Sequence, residues 1–106
     1  MRVELHPDAL VELRAAALWY DERQPGLGDR FIERLAELSD RLAMGPAVYS
    51  VWPGTAGSPA PIRRAVAEQF PYAVAFETHH DHVLILAVAH GKRRPLYWLA
   101  RAGEPG

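Results

Sequence analysis

Seven apolar residues in a row, Val83–Ala89 (VLILAVA), constrain the fold of this chain more than any other stretch. The run is rich in Val, Ile and Leu and is far too short to span a membrane, so it predicts a strand buried on both faces. A strand covered on both sides is central in its sheet. His90, Gly91, Lys92, Arg93, Arg94, Pro95, Tyr97 and Trp98 follow directly. Titratable, cationic and stacking groups therefore gather at one end of a rigid element, where chemistry or contact with a polyanion is best placed.

The rest of the chain supplies the neighbours this strand needs. Arg2–His6 alternates, with Val3 and Leu5 on one side, and reads as a short edge or second strand. Pro7 suits the first turn of a helix and Asp8 the positive end of its dipole. Leu10, Leu13, Ala17 and Tyr20 then recur at helical spacing until Pro25-Gly26 ends the run. Phe31, Leu35, Leu38 and Leu42 form a second stripe, stopped by Gly45-Pro46. Two helices joined so tightly lie antiparallel as a hairpin, and their stripes read as core.

Between Pro46 and Pro61 the chain holds four prolines and two glycines, which predicts a long loop, the most mobile segment, with a brief extended piece near Tyr49–Trp52. Ile62–Gln69 reads as a strand that sends Arg63 and Arg64 to opposite faces. After Phe70-Pro71, large residues (Tyr72, Val74, Phe76) alternate with Ala73, Ala75 and Glu77, and the turn His79–His82 joins this strand to Val83–Ala89 as a hairpin. Three histidines and an aspartate in four residues invite a metal reading, but a solvated turn tip cannot converge on one ion, and no second ligand cluster exists. The layout is α+β: an antiparallel sheet of about four strands with an N-terminal helical hairpin packed on one face.

A chain of 106 residues has room for one domain, residues 1–106, and 49% hydrophobic residues with 24% charged ones can build a core. The absence of cysteine excludes disulfides and thiolate metal sites, and no signal-like or membrane-spanning run is present, so the expectation is a cytoplasmic protein without cofactors. A net charge of -1 argues against a strongly cationic nucleic-acid binder. The average hides an asymmetry, since Val83–Arg101 carries four cations and no acid. A local basic patch on a neutral body follows.

The runs IRRAVAEQFPYAVAFE and VLILAVAHGKRRPLYW, with YDERQPGLGDRFIERL bridging the helices, resemble the RelE/ParE superfamily, the toxins of type II toxin-antitoxin systems, plasmid stabilisation proteins among them. The resemblance spans nearly the whole chain. It implies a growth-inhibiting bacterial toxin, bound in a hetero-oligomer with a cognate antitoxin protein. ParE-like members inhibit DNA gyrase by binding and need no catalytic set. RelE-like members cleave mRNA on the ribosome. Carried over by position, His90, Arg94 and Tyr97 are the catalytic candidates and Arg63, Arg64, Lys92, Arg93 and Trp98 the target-binding ones. Each has a plainer reading: His90 as a strand cap, Tyr97 and Trp98 as core or antitoxin contacts, Arg93 and Arg94 as a solvated pair, one of Arg63 and Arg64 as structural. A degenerate member that only binds antitoxin is the third functional reading, and whether the chain is an enzyme stays open.

Overall fold

The computed structural model of the chain describes residues 1–103. Strand β1 (Arg2–Leu5) leads into helices α1 (Pro7–Arg23) and α2 (Leu27–Met44) and a 3₁₀ turn (Pro46–Val48). Strands β2 (Ile62–Val66), β3 (Tyr72–Thr78) and β4 (His82–His90) follow, and a second 3₁₀ turn (Leu99–Arg101) closes the described chain. Pro7 opens α1, where the His6 ring takes the place of a serine or aspartate cap: its Nδ1 accepts the Asp8 N–H at 3.1 Å. Gly26 reverses the chain at φ 89°. The two helices then approach so closely that the Gly28 N–H donates to Asp21 Oδ1 at 2.7 Å.

The sheet order β1-β4-β3-β2 makes β4 internal, and Val83–Ala89 is buried along its whole length. β2, β3 and β4 pair antiparallel as expected; β1 instead lies parallel to β4. A connection as long as two helices and two strands frees that pair from hairpin geometry. Between Ala75 and Phe76 the register slips: Ala75 faces Ala87 but Phe76 faces Ile85, so Leu86 is an extra residue in β4. This bulge lets Leu86 and Ala87 both turn away from the helices.

Two hydrophobic clusters result. Under the helices, Phe31, Leu35, Leu38 and Leu42 meet Val74, Phe76, Val83, Ile85 and Val88, with Tyr20 and Tyr72 at the margin. α1 contributes Ala9, Ala16 and Ala17 in addition, so its buried face is made mostly of small residues that bring it close to the sheet. Across the sheet, Ile62, Ala75, Leu84, Leu86, Ala87 and Ala89 are covered by Trp98, whose ring meets Trp52 edge-on at 5.0 Å. The C-terminal segment and the loop before β2 are therefore the second cover.

One expectation needs correction. The strand expected over Ile62–Gln69 stops at Val66, because Gln69 sits in the left-handed region (φ 71°) and the chain turns there, with the Ala67 N–H bonded to the Tyr72 carbonyl at 2.9 Å. Within the Pro46–Pro61 loop, Val51 bridges to Arg63, which is the brief extended piece expected near Tyr49–Trp52, and buried Thr55 donates its hydroxyl to the Trp52 carbonyl at 2.7 Å. Among the described residues no helix is long and apolar enough to cross a membrane.

Candidate functional site

β1 ends at Leu5, opposite Ile85, so the second half of β4 has no strand neighbour on that side. Its backbone groups find side chains instead. Glu12, on α1, accepts the Val88 N–H at 3.1 Å, and Arg101 donates to the Leu86 carbonyl at 2.9 Å. The same carboxylate receives Arg101 through Nη1 and Nη2 (2.9 and 3.2 Å) and the Tyr97 hydroxyl at 2.5 Å. Glu12 thus ties α1, β4 and the C-terminal segment into one knot, and sequence reasoning missed both it and Arg101. The only available signal was a glutamate within an apolar helical stretch and a tail arginine 89 positions away, which nothing local connects.

This knot decides what Tyr97 can do. Burial, reinforced by its bond to Glu12, raises the pKa of the phenol well above its ordinary range. A proton held in that way is a structural donor, poorly suited to leave at neutral pH. Arg93 lies over the same ring, 4.0 Å from its centroid.

His90 closes β4. Its Nδ1 accepts the Lys92 N–H at 3.0 Å, its carbonyl accepts the Arg93 N–H at 3.0 Å, and its ring stands edge-on to Tyr72 at 5.1 Å. With Nδ1 accepting from backbone, the neutral ring carries its proton on Nε2 and can donate there. Acting as a base would require a different tautomer and the loss of the Lys92 bond.

The arginines separate. Arg63 faces the helix side, as alternation requires, and its guanidinium donates to the Tyr49 carbonyl at 2.7 Å while its Nε is buried without a partner among the described residues. It is half-buried and pins the long loop. Arg64 is exposed on the opposite face, 5.4 Å from the Trp52 ring. Lys92, Arg93 and Arg94 are exposed beyond β4, and Trp98, expected among the contact residues, is instead 1% exposed. A cleft of about 200 Å³ is lined by Trp52, Arg64, His90, Arg93, Arg94 and Tyr97, and among the described residues no carboxylate lines it.

On the other side of His90 and Arg93 lies a larger groove of about 570 Å³, along α1 and the open edge of β4. Val11, Ala15, Trp19, Tyr20, Tyr72 and Val88 form its apolar wall. Val11 and Trp19 are 64% and 49% exposed, as is the neighbouring Leu18 at 61%. This second apolar stripe was visible in the sequence as Val11, Ala15, Leu18 and Trp19, at helical spacing but off the core-facing line. The turn His79–His82 is remote from both hollows: His79 stacks on His82 at 4.6 Å and pairs with buried Glu77 at 3.3 Å.

Over residues 3–95 the sequence matches the family model described as ParE toxin of type II toxin-antitoxin system, parDE. In structure the chain is similar to a protein of the chromosomal ParDE toxin-antitoxin system from P. aeruginosa, with a TM-score of 0.69 at 16% identity, over 85% of this chain and 95% of that one. At that identity the likeness speaks to the fold. Comparison with curated proteins gives no match.

Proposed function

This chain belongs to the ParE toxin family of type II toxin-antitoxin systems, and from that premise we propose that it arrests growth by binding a cytoplasmic target, DNA gyrase, and not by cutting RNA. The observation that carries this reading is the state of the two groups able to move a proton. Tyr97 is committed to Glu12 and His90 to the Lys92 backbone. An RNA-cleaving site needs a group free to accept the 2'-hydroxyl proton, and a base occupied by its own fold supplies little of the usual 10²–10⁴-fold. The arginines need no such freedom to act as a contact surface.

The cognate antitoxin, in this proposal, docks in the groove along α1. Val11, Ala15 and Trp19 give it an apolar wall with exposed Leu18 beside them, and β4 beyond Ile85 has no strand neighbour there, its Leu86 carbonyl and Val88 N–H being held by side chains that an added strand would replace. A segment folding as an amphipathic helix or as an added strand meets both demands.

The test is expression without antitoxin. Arg93→Ala with Arg94→Ala is expected to abolish growth inhibition, since the contact surface loses two of its charges. His90→Ala and Tyr97→Phe are expected to keep it, provided circular dichroism shows a folded chain. Purified toxin should block gyrase supercoiling and leave translated mRNA intact. If His90→Ala removes toxicity and translated mRNA is cut, the ribonuclease reading replaces this one. A double arginine variant that stays folded and fully toxic would move the active face to the loop before β2.

A further inference from the structure

We propose that the cleft between Trp52, Arg64, Arg94 and Tyr97 is a binding site for a phosphodiester strand, with single-stranded nucleic acid as its ligand. Three features point there together. The cleft gathers three guanidinium groups and an imidazole with no carboxylate among the described residues that line it, on a chain whose net charge is -1. Local charge of one sign, kept apart from a neutral body, costs repulsion unless an anion offsets it. Arg101 is engaged by Glu12 and Arg63 by the Tyr49 carbonyl, so Arg64, Arg93 and Arg94 stand out as the cleft's guanidinium groups exposed to a ligand, with the Lys92 ammonium exposed beside them.

The chemistry of the walls then narrows the anion. Arg93 lies over the Tyr97 ring and Arg64 beside the Trp52 ring, so two planar cations are mounted on aromatic faces across the hollow. A guanidinium fork suits phosphate, which it can grip bidentately. Aromatic and guanidinium planes also stack with bases without regard to sequence. An acidic peptide could pair with the charges but gives the aromatic walls nothing to stack. With about 200 Å³ available the cleft accommodates a phosphate and part of its nucleoside, and the strand continues past Pro95 over the surface. This ligand is independent of which protein the toxin inhibits, although it occupies the surface assigned above to target contact.

The test uses the full chain and a fluorescein-labelled oligothymidylate of eight nucleotides, followed by anisotropy. Binding is expected in low salt, falling with added salt at a log–log slope of about −2, the value for three phosphates on a single strand. Arg64→Gln with Arg94→Gln should weaken it 10-fold or more. Arg14→Gln and Arg30→Gln, exposed on the helices, should leave it unchanged. Inorganic pyrophosphate should compete, and poly-glutamate of equal charge should compete much less. The proposal is overturned by absence of binding in low salt, by binding that ignores salt, by equal loss in the helix variants, or by poly-glutamate competing as well as the nucleotide. Wild-type growth inhibition without oligonucleotide binding would remove this site and leave the toxin reading standing; binding without growth inhibition would do the reverse.

Discussion

Glu12 is the residue on which most depends. Its carboxylate receives a backbone N–H, a phenol and a guanidinium, and both it and Arg101 are largely buried, with 14% and 16% of their side chains exposed. Removing one partner of such a pair leaves the other charge buried and unmatched, so Glu12→Gln is expected to destabilise the fold by about 3 kcal/mol in urea unfolding. Tyr97→Phe removes one neutral donor and should cost only about 1 kcal/mol. The two variants differ further in alkali. The folded-state pKa of Tyr97 lies above its unfolded value of about 10. The stabilisation is therefore complete below pH 10 and is lost as pH rises through the folded value, because the unfolded chain releases the proton first. Tyr72 and Tyr20, raised mainly by burial, contribute in the same direction. Tyr97→Phe should flatten the decline of stability above pH 10 relative to wild type, which denaturation at pH 9 and 11 would measure; an unchanged decline would mean that Tyr97 is not the group holding its proton.

At the scale of elements, the hairpin of α1 and α2 is set by one close approach. A Cβ at Gly28 would meet the Ala17 carbonyl and the Asp21 carboxylate, whereas one at Gly26 meets nothing within 4 Å and suffers only the left-handed backbone (φ 89°). Gly28→Ala is thus expected to cost about 3 kcal/mol as the helices are pushed apart, and Gly26→Ala about 1 kcal/mol. Thermal unfolding would rank them; equal losses would show that the helices yield easily. Such contrasts mark what a sequence can carry. The stripe Phe31, Leu35, Leu38, Leu42 and the run Val83–Ala89 declare themselves because burial leaves a period or an unbroken apolar stretch. The bulge at Leu86 does not, since an extra apolar residue in an apolar run changes no pattern. The parallel placement of β1 and the fold-back of Trp98 depend on contacts between distant segments. For the candidate site, the cationic end of β4 was legible as composition. Which arginines are free was not, because Arg63 and Arg64 differ only in the face that β2 gives them.

Across the whole molecule, the apolar groove and the cationic cleft share a wall. His90 and Arg93 line both, and the Lys92 and Arg93 N–H groups are bonded to His90, so the segment bearing the cations hangs from the residue that borders the groove. On the two proposals above, an antitoxin seated along Val11, Trp19 and Tyr72 reaches Arg93 from one side while a phosphodiester draws on it from the other. Two ligands that draw on one guanidinium cannot both be fully bound by it, and the coupling between them must be reciprocal. Saturating the groove with antitoxin is therefore expected to weaken the oligonucleotide about 10-fold, and saturating oligonucleotide to weaken the antitoxin by the same factor. Arg93→Ala should bring both factors close to one while leaving residual binding of each ligand through Arg64 and Arg94 on one side and the α1 wall on the other. Isothermal titration of the three species, in both orders of addition and at fixed salt, measures the factors directly. Affinities unchanged by the second ligand in wild type would show that Arg93 serves one hollow alone, and that neutralisation of the toxin works by covering its surface and not through the shared wall.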